Sequence, residues 1–418
     1  MKIDNNQLLR FITSGNVDDG KSTLIGRLLY DSKSIYEDQL QNVKRISKRK
    51  GNDEIDLTLF TDGLRDEWEQ GITIDVAYQY FTTPKRKFII ADTPGHVQYT
   101  RNMFTGASTA NLAIILVDVR YGVTEQTKRH SFIASLLKIP NAIVCINKMD
   151  LVNFSKDVYD TIVNEFKIFS SKLSINDIRF IPMSALLGDN VVDKSSRMEW
   201  YKGDPLLHTL EIIPINNDIN EASVRFPIQT ILRPQNEVDQ DYRRYVGRLA
   251  SGVLRKGDEI TVLPSGLTSK VKTIYKYDKD MQEVFAPMSI SIALEDNIDI
   301  SRGDMIVKSN NKPNIVQDIE VMLCWLHTDA AKPRAKYFIK QTTNEQKAII
   351  KEIIYKIDIK TLEKDYECEG LKMNDICKVK LKITKPLMVD LYKENRITGS
   401  LILIDETTNE TVAAAMVV

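Results

Sequence analysis

The sequence predicts an α/β domain on a mostly parallel sheet, followed by two small all-β domains. Three observations carry that expectation. First, short unbroken apolar runs (Lys87–Ala91, Leu112–Val117, Ala142–Ile146) alternate with helical patterns such as Thr127–Lys138. Strands of this kind are buried on both faces, as in a parallel sheet covered by helices. Second, the texture changes near Glu211–Pro214. From about Ser223, short alternating strands are separated by turn signals such as Lys256-Gly257-Asp258, Pro264-Ser265-Gly266 and Arg302-Gly303-Asp304. Such spacing without intervening helices reads as barrels or sandwiches. Third, 418 residues exceed what one hydrophobic core organises. With Asn310–Asn314 taken as a second linker, the domains are drawn at 1–215, 222–310 and 315–418.

Bulk properties narrow the function classes. Lys plus Arg and Asp plus Glu total 57 each, so electrostatics give no reason to expect a nucleic-acid partner. The longest apolar run, Leu112–Val117, is far too short to span a membrane. The N-terminal MKIDNNQLLRF lacks the apolar core of a signal peptide. Cys145, Cys324, Cys368 and Cys377 show no C-x-x-C spacing and read as reduced thiols. A cytoplasmic protein without a membrane partner is expected.

The first element, an apolar run over 11–13, leads into a loop and then a helical pattern. Gly15, Asn16, Val17, Asp18, Asp19, Gly20, Lys21 and Ser22 spell G-x-x-x-x-G-K-[ST], and Thr23 opens the helical stretch. Small residues let successive backbone N–H groups curl around phosphate oxygens at a helix N-terminus. Lys21 is expected on the β- and γ-phosphates and the Ser22 hydroxyl on Mg²⁺. The strand over 88–91 leads into Asp92-Thr93-Pro94-Gly95-His96. Asp92, at the strand end, is placed to hold Mg²⁺ through water, and Gly95 can turn its N–H toward a γ-phosphate. Thr73, in Gly71-Ile72-Thr73-Ile74, supplies a second hydroxyl for the metal on a switch loop. His96 stands where a water-orienting group belongs and is the candidate catalytic residue. His130 reads as structural or interfacial.

The base is chosen after the strand ending at Ile146, by Asn147-Lys148-Met149-Asp150. A carboxylate at Asp150 can accept from guanine N1–H and N2–H₂, whereas adenine would leave it unpaired, a cost of about 1–3 kcal/mol or more. Ser184-Ala185-Leu186 fits the loop that closes over guanine O6 with a backbone N–H. The predicted substrate is GTP, with Mg²⁺.

These motifs resemble the translational-factor GTPases, the class of elongation factor Tu. Gly247–Gly252 followed by Gly257-Asp258 is similar to that class's second-domain barrel signature, so the resemblance implies two small β-barrels behind the GTPase domain. One branch fits better, the GTPase (large) subunits of bacterial sulfate adenylyltransferase. Its marks are Val17–Gly20, Glu69–Tyr78, Gln98–Met103, Gln126–Phe132, Leu263–Gly266, Cys324–Leu326 and the tail with Asn395-Arg396 and Asp405–Asn409. The resemblance implies that Val17 and Ile72 form an apolar gate restraining His96. It also implies that GTP hydrolysis drives ATP and sulfate to adenosine 5′-phosphosulfate and diphosphate, in sulfate assimilation. Val97 stands where that family commonly has Glu, and Ala413 and Ala415 where it has Gly.

Gly-Lys occurs once, and the four histidines form no His-x-x-His or His-x-Gly-His site. Adenylyl transfer is therefore expected on a separate small subunit, the partner of this chain. The competing expectation, a translation elongation factor delivering aminoacyl-tRNA, shares every GTPase motif and requires a basic surface. The run Lys44–Lys50 reads instead as a solvated helix flanked by acidic residues. A stand-alone regulatory GTPase would leave the β half without a role.

Overall fold

The computed structural model describes residues 8–35, 37–49, 55–60, 73–215, 222–233, 243–277, 279–331, 334–368 and 370–418. They form two compact units, 1–216 with 359–362, and 217–358 with 363–418.

The first unit is the expected α/β domain. Its strands are β1 (Leu8–Ser14), β2 (Ala77–Thr82), β3 (Lys87–Asp92), β4 (Leu112–Asp118), β5 (Asn141–Asn147) and β6 (Asp177–Pro182), in the spatial order β2-β3-β1-β4-β5-β6. Every pairing is parallel except β2 on β3. Every residue of β4 and β5 is buried, which explains why both read as unbroken apolar runs. The helices are α1 (Lys21–Asp31), α2 (Glu37–Arg49), α3 (Thr100–Ala107), α4 (Glu125–Leu136), α5 (Lys156–Ser170) and α6 (Leu206–Ile212). The stretch predicted over 127–138 is α4, which starts earlier because the Thr124 hydroxyl accepts the Thr127 N–H as an N-cap. The basic run at 44–49 lies on α2.

Parallel register has a direct consequence for function. Thr13 pairs with Asp92, Asp118 with Asn147, and Ile146 with Pro182. The chain therefore leaves β1, β3, β4, β5 and β6 at one edge of the sheet, where ligands bind in open α/β folds.

The second unit contains two closed antiparallel barrels. The first runs Glu259–Leu263, Met305–Lys308, Arg225–Leu232, Arg244–Arg248, Ser289–Leu294 and Thr268–Lys276, and the last strand pairs back onto the first. The second runs Lys336–Gln341, Ser400–Asp405, Thr411–Val417, Asn314–Trp325, Ile376–Val389 and Asn344–Ile357, closing the same way. Closure removes the exposed edges that an open sheet would present. Phe226, Tyr245 and Ile292 fill the first barrel; Trp325, Leu381 and Leu403 fill the second.

A buried ion pair joins the barrels. Arg225, 2% exposed, donates from Nε and Nη2 to both oxygens of Asp390, each at 2.8 Å. Its Nη1 and Nη2 also donate to Asn311 O at 2.9 Å and Asn311 Oδ1 at 3.2 Å, inside the predicted second linker. Thr398 donates its hydroxyl to Asp390 at 2.6 Å. Asn310–Asn314 is thus a short connection held within one unit. Removing one partner strands a buried charge, so Asp390→Ala should destabilise the β unit by about 3–5 kcal/mol in denaturant unfolding. The double change Asp390→Leu with Arg225→Met should cost distinctly less.

Candidate functional site

The loop from Gly15 to Ser22 joins β1 to α1 and folds over its own lysine. Lys21 Nζ donates to Asn16 O at 2.7 Å and to Gly15 O at 3.2 Å. Burial lowers the Lys21 pKa, while the Asp92, Asp19 and Asp18 charges oppose that shift. The Asn16 N–H donates to Asp19 Oδ2 at 2.5 Å. Burial pushes the Asp19 carboxyl up to about 6, against the pull of that N–H and of Lys21. Two glycines are sterically required. Gly20 has φ +93°, and a Cβ there would lie 2.5 Å from Asn147 Nδ2. A Cβ on Gly95 would lie 2.5 Å from Lys21 Nζ and 2.8 Å from Gly15 O.

On the base side, Asn147 acts as a brace. Its Nδ2 donates to Asp19 O at 2.8 Å and its Oδ1 accepts the Ala185 N–H at 2.9 Å. The loops after β1, β5 and β6 are thereby joined by one amide. The Ala185 N–H is taken by Asn147 in this arrangement. Ser184 is fully buried and its hydroxyl accepts the Leu187 N–H at 3.2 Å, while Leu186 is exposed. Arg27 of α1 donates Nε to Ala185 O at 3.2 Å and Nη2 to Leu186 O, holding this loop from the phosphate side. Lys148 has φ +65°; its ammonium meets Asp118 Oδ2 at 2.9 Å and donates to Asp18 O. Asp118 also accepts from Arg120, at 3.0 Å from Nε and 2.6 Å from Nη2. Burial pushes Asp118 up, but the Arg120 and Lys148 bonds more than offset it and hold the carboxyl at about 2. Met149 is core. Among the described residues, Asp150 Oδ1 is buried with no hydrogen-bond partner. A carboxylate oxygen so placed fits an N–H donor from outside the chain.

On the switch side, Asp92 is 1% exposed and accepts the Thr13 hydroxyl at 2.9 Å. Thr93 donates to Thr13 O at 2.6 Å. The Gln98 N–H points at His96 Nδ1 at 3.3 Å, which puts the proton of the neutral ring on Nε2. Two side chains tie the switch backbone to helices. Asn102 of α3 donates to Ile74 O at 2.6 Å, one residue past Thr73. Gln126 of α4 donates to Gly95 O at 3.2 Å and meets His130 Nε2 at 2.9 Å. Burial, with the Lys21 and Arg129 charges adding to it, pulls His130 down to about 3, so the ring is neutral.

A cleft of about 500 Å³ opens between these parts. It is lined by Val17, Asp18, Gly20, Lys21, Ser22, Thr23, Thr58, Thr73, Gly95, His96, Arg120 and Lys148. Ser22 and Thr73 both line this space, and Asp92, outside the lining, is buried at the end of β3. An all-oxygen set of that kind fits Mg²⁺. Asn16, Asp19, Asp92, Thr93, Pro94, Asn147, Met149, Asp150 and the Ser184–Leu186 loop stand behind or beside the lining rather than in it. Ile72, the second residue of the expected gate, lies outside the described residues. Sequence reasoning missed Thr58, Asp118 and Arg120, which belong to no motif. It also missed the tethering by Asn102 and Gln126, whose letters were visible only as family marks.

Comparison with known proteins bears on the family. Residues 6–229 match the elongation factor Tu GTP binding domain, and residues 318–418 match the GTP-eEF1A C-terminal domain-like family. The chain is 52% identical to a sulfate adenylyltransferase subunit 1 of Bacteroides thetaiotaomicron, covering 100% of this chain and 87% of that one. It is 52% identical to a bifunctional enzyme CysN/CysC of Mycobacterium tuberculosis, covering 98% of this chain and 67% of that one. Among solved structures, the GTP-bound GTPase-like domain of Ski7 from S. cerevisiae aligns with TM-score 0.54 at 17% identity, covering 99% of this chain and 97% of that one. That last likeness concerns the fold alone. The chain belongs to the sulfate adenylyltransferase subunit 1 family, built on an elongation factor Tu-type GTP-binding domain.

Proposed function

We propose that this chain is the GTP-hydrolysing subunit of a sulfate adenylyltransferase. GTP hydrolysis on it drives formation of adenosine 5′-phosphosulfate and diphosphate from ATP and sulfate. The observation that carries this reading is identity above half, over essentially the full chain, to proteins of that name. The match to the elongation factor Tu GTP binding domain is common to both readings and does not favour the translation-factor alternative. Adenylyl transfer is assigned to a separate small subunit, because Gly-Lys occurs once in the sequence and the four histidines form no His-x-x-His or His-x-Gly-His site.

The residues divide the work by position. Backbone N–H groups of Gly15–Ser22 wrap the phosphates, and Lys21 exchanges its loop carbonyls for phosphate oxygens. Asp150 reads the guanine edge with the oxygen that lacks an internal partner. His96, proton on Nε2, orients the attacking water beside Gly95, with Val17 and Ile72 gating its approach. Mg²⁺, when bound by Ser22, Thr73 and Asp92 through water, neutralises charge on the β- and γ-phosphates. Gln126 and Asn102 hold the two switch segments through Gly95 O and Ile74 O. A switch drives a partner only if its GTP and GDP forms bind that partner differently.

Three measurements test this. In equilibrium binding, Asp150→Asn should weaken GTP at least about tenfold and improve XTP, whose C2 oxygen accepts from the new amide. Unchanged affinity for both would remove Asp150 from base reading. His96→Ala should keep GTP binding but lose roughly 10²-fold or more in partner-stimulated hydrolysis; normal turnover would take His96 out of the reaction. Finally, radiolabelled sulfate incorporation is compared for chain alone, small subunit alone, and both with GTP or a non-hydrolysable analogue. Sustained phosphosulfate accumulation is expected only from the pair with GTP. Equal accumulation with the analogue, or formation by this chain alone, would sink the coupling.

A further inference from the structure

Resting on the GTP reading above, we propose that Asp118, secured by Arg120, is a nucleotide-positioning residue that acts through Lys148. Lysine carries its charge on a flexible four-carbon stem, and nothing in the Asn147–Asp150 motif itself fixes where that stem lies. The structure supplies two anchors. The ammonium sits 2.9 Å from Asp118 Oδ2 and donates to Asp18 O in the phosphate loop. Both anchors hold the Nζ end of the side chain, and Lys148 lines the cleft.

Asp118 can serve as an anchor because of its place in the sheet and its own support. It ends β4, in register with Asn147 at the end of β5, and the Val119 N–H donates to Asn147 O at 3.1 Å. It is 2% exposed, and three groups of Arg120 converge on it: the backbone N–H at 2.9 Å, Nε at 3.0 Å and Nη2 at 2.6 Å. A buried carboxylate requires such pairing. One carboxylate thus holds two cations, and both cations line the cleft while the carboxylate stays behind them. With Lys21, three cations line the cleft against the carboxylates of Asp18 and Asp118, so it presents a net positive charge to an anionic nucleotide. The same arrangement links the loops after β1, β4 and β5, so the lysine stem and the phosphate loop are held at a fixed spacing.

A double-mutant cycle separates this role from a structural one. GTP and GDP affinities of the full chain are measured by calorimetry for Asp118→Ala, Lys148→Met and both together. Asp118→Ala should weaken both nucleotides about tenfold, with the GTP-over-XTP preference unchanged. In the Lys148→Met background, the same substitution should cost less than about twofold. Asp118→Asn keeps shape and an acceptor and carries the same cycle should the alanine variant fail to fold. An unchanged affinity in Asp118→Ala, or the full tenfold loss in both backgrounds, overturns the proposal. Wild-type protein that binds neither nucleotide would overturn the GTP reading itself, a distinct result.

Discussion

One buried amide holds the nucleotide end of this protein together. Asn147 gives its Nδ2 to the carbonyl of Asp19 and its Oδ1 to the N–H of Ala185. One side chain thus ties the loops after β1 and β6 to the end of β5. Both polar ends of the amide are satisfied by backbone, so its burial at 2% exposure carries no unpaired group. The adjoining Gly20 is the counterpart of that choice. Any side chain there would collide with the amide that joins the loops.

Around this brace the site stores charge in places where water is scarce. Lys21 and Asp19 are both buried and both displaced from their ordinary pKa ranges by that burial. Asp118 is the opposite case, a buried carboxylate kept ionised by two cations. Groups held this way need little rearrangement when phosphates arrive, because the surrounding dipoles are already in place. Lys21 is the exception, since its two carbonyl partners belong to the loop that must receive the phosphate.

The switch elements are held differently. The Gly95 and Ile74 carbonyls are each gripped by a side chain from a helix, Gln126 and Asn102 respectively. Single hydrogen bonds of this kind contribute about 0.5–1.5 kcal/mol each, strong enough to define a conformation and weak enough to be exchanged for another. The barrels contrast with this. Closed sheets and the bidentate Arg225–Asp390 pair make the β unit a rigid element by design of its hydrogen bonding.

By itself, the sequence determined the fold class, the base and phosphate motifs, and the family. These are local: unbroken apolar runs report strands buried on both faces, and a glycine-rich loop before a helix reports phosphate binding. The resemblance carried the barrels, which alternation alone left open between barrel and sandwich. Only the tertiary structure decided which side chains meet. Asp118 and Asn147 are 29 residues apart and become neighbours solely through the β4–β5 register. Arg225 and Asp390 are 165 residues apart and meet through two barrel closures. Asn147 was legible as a base-motif letter, but its bond to Asp19, 128 residues earlier, was not. A motif encodes backbone geometry over a few residues, where sterics and local hydrogen bonds dominate. The partner of a buried polar atom is set by which strand ends the sheet brings together, and no short stretch of sequence contains that information.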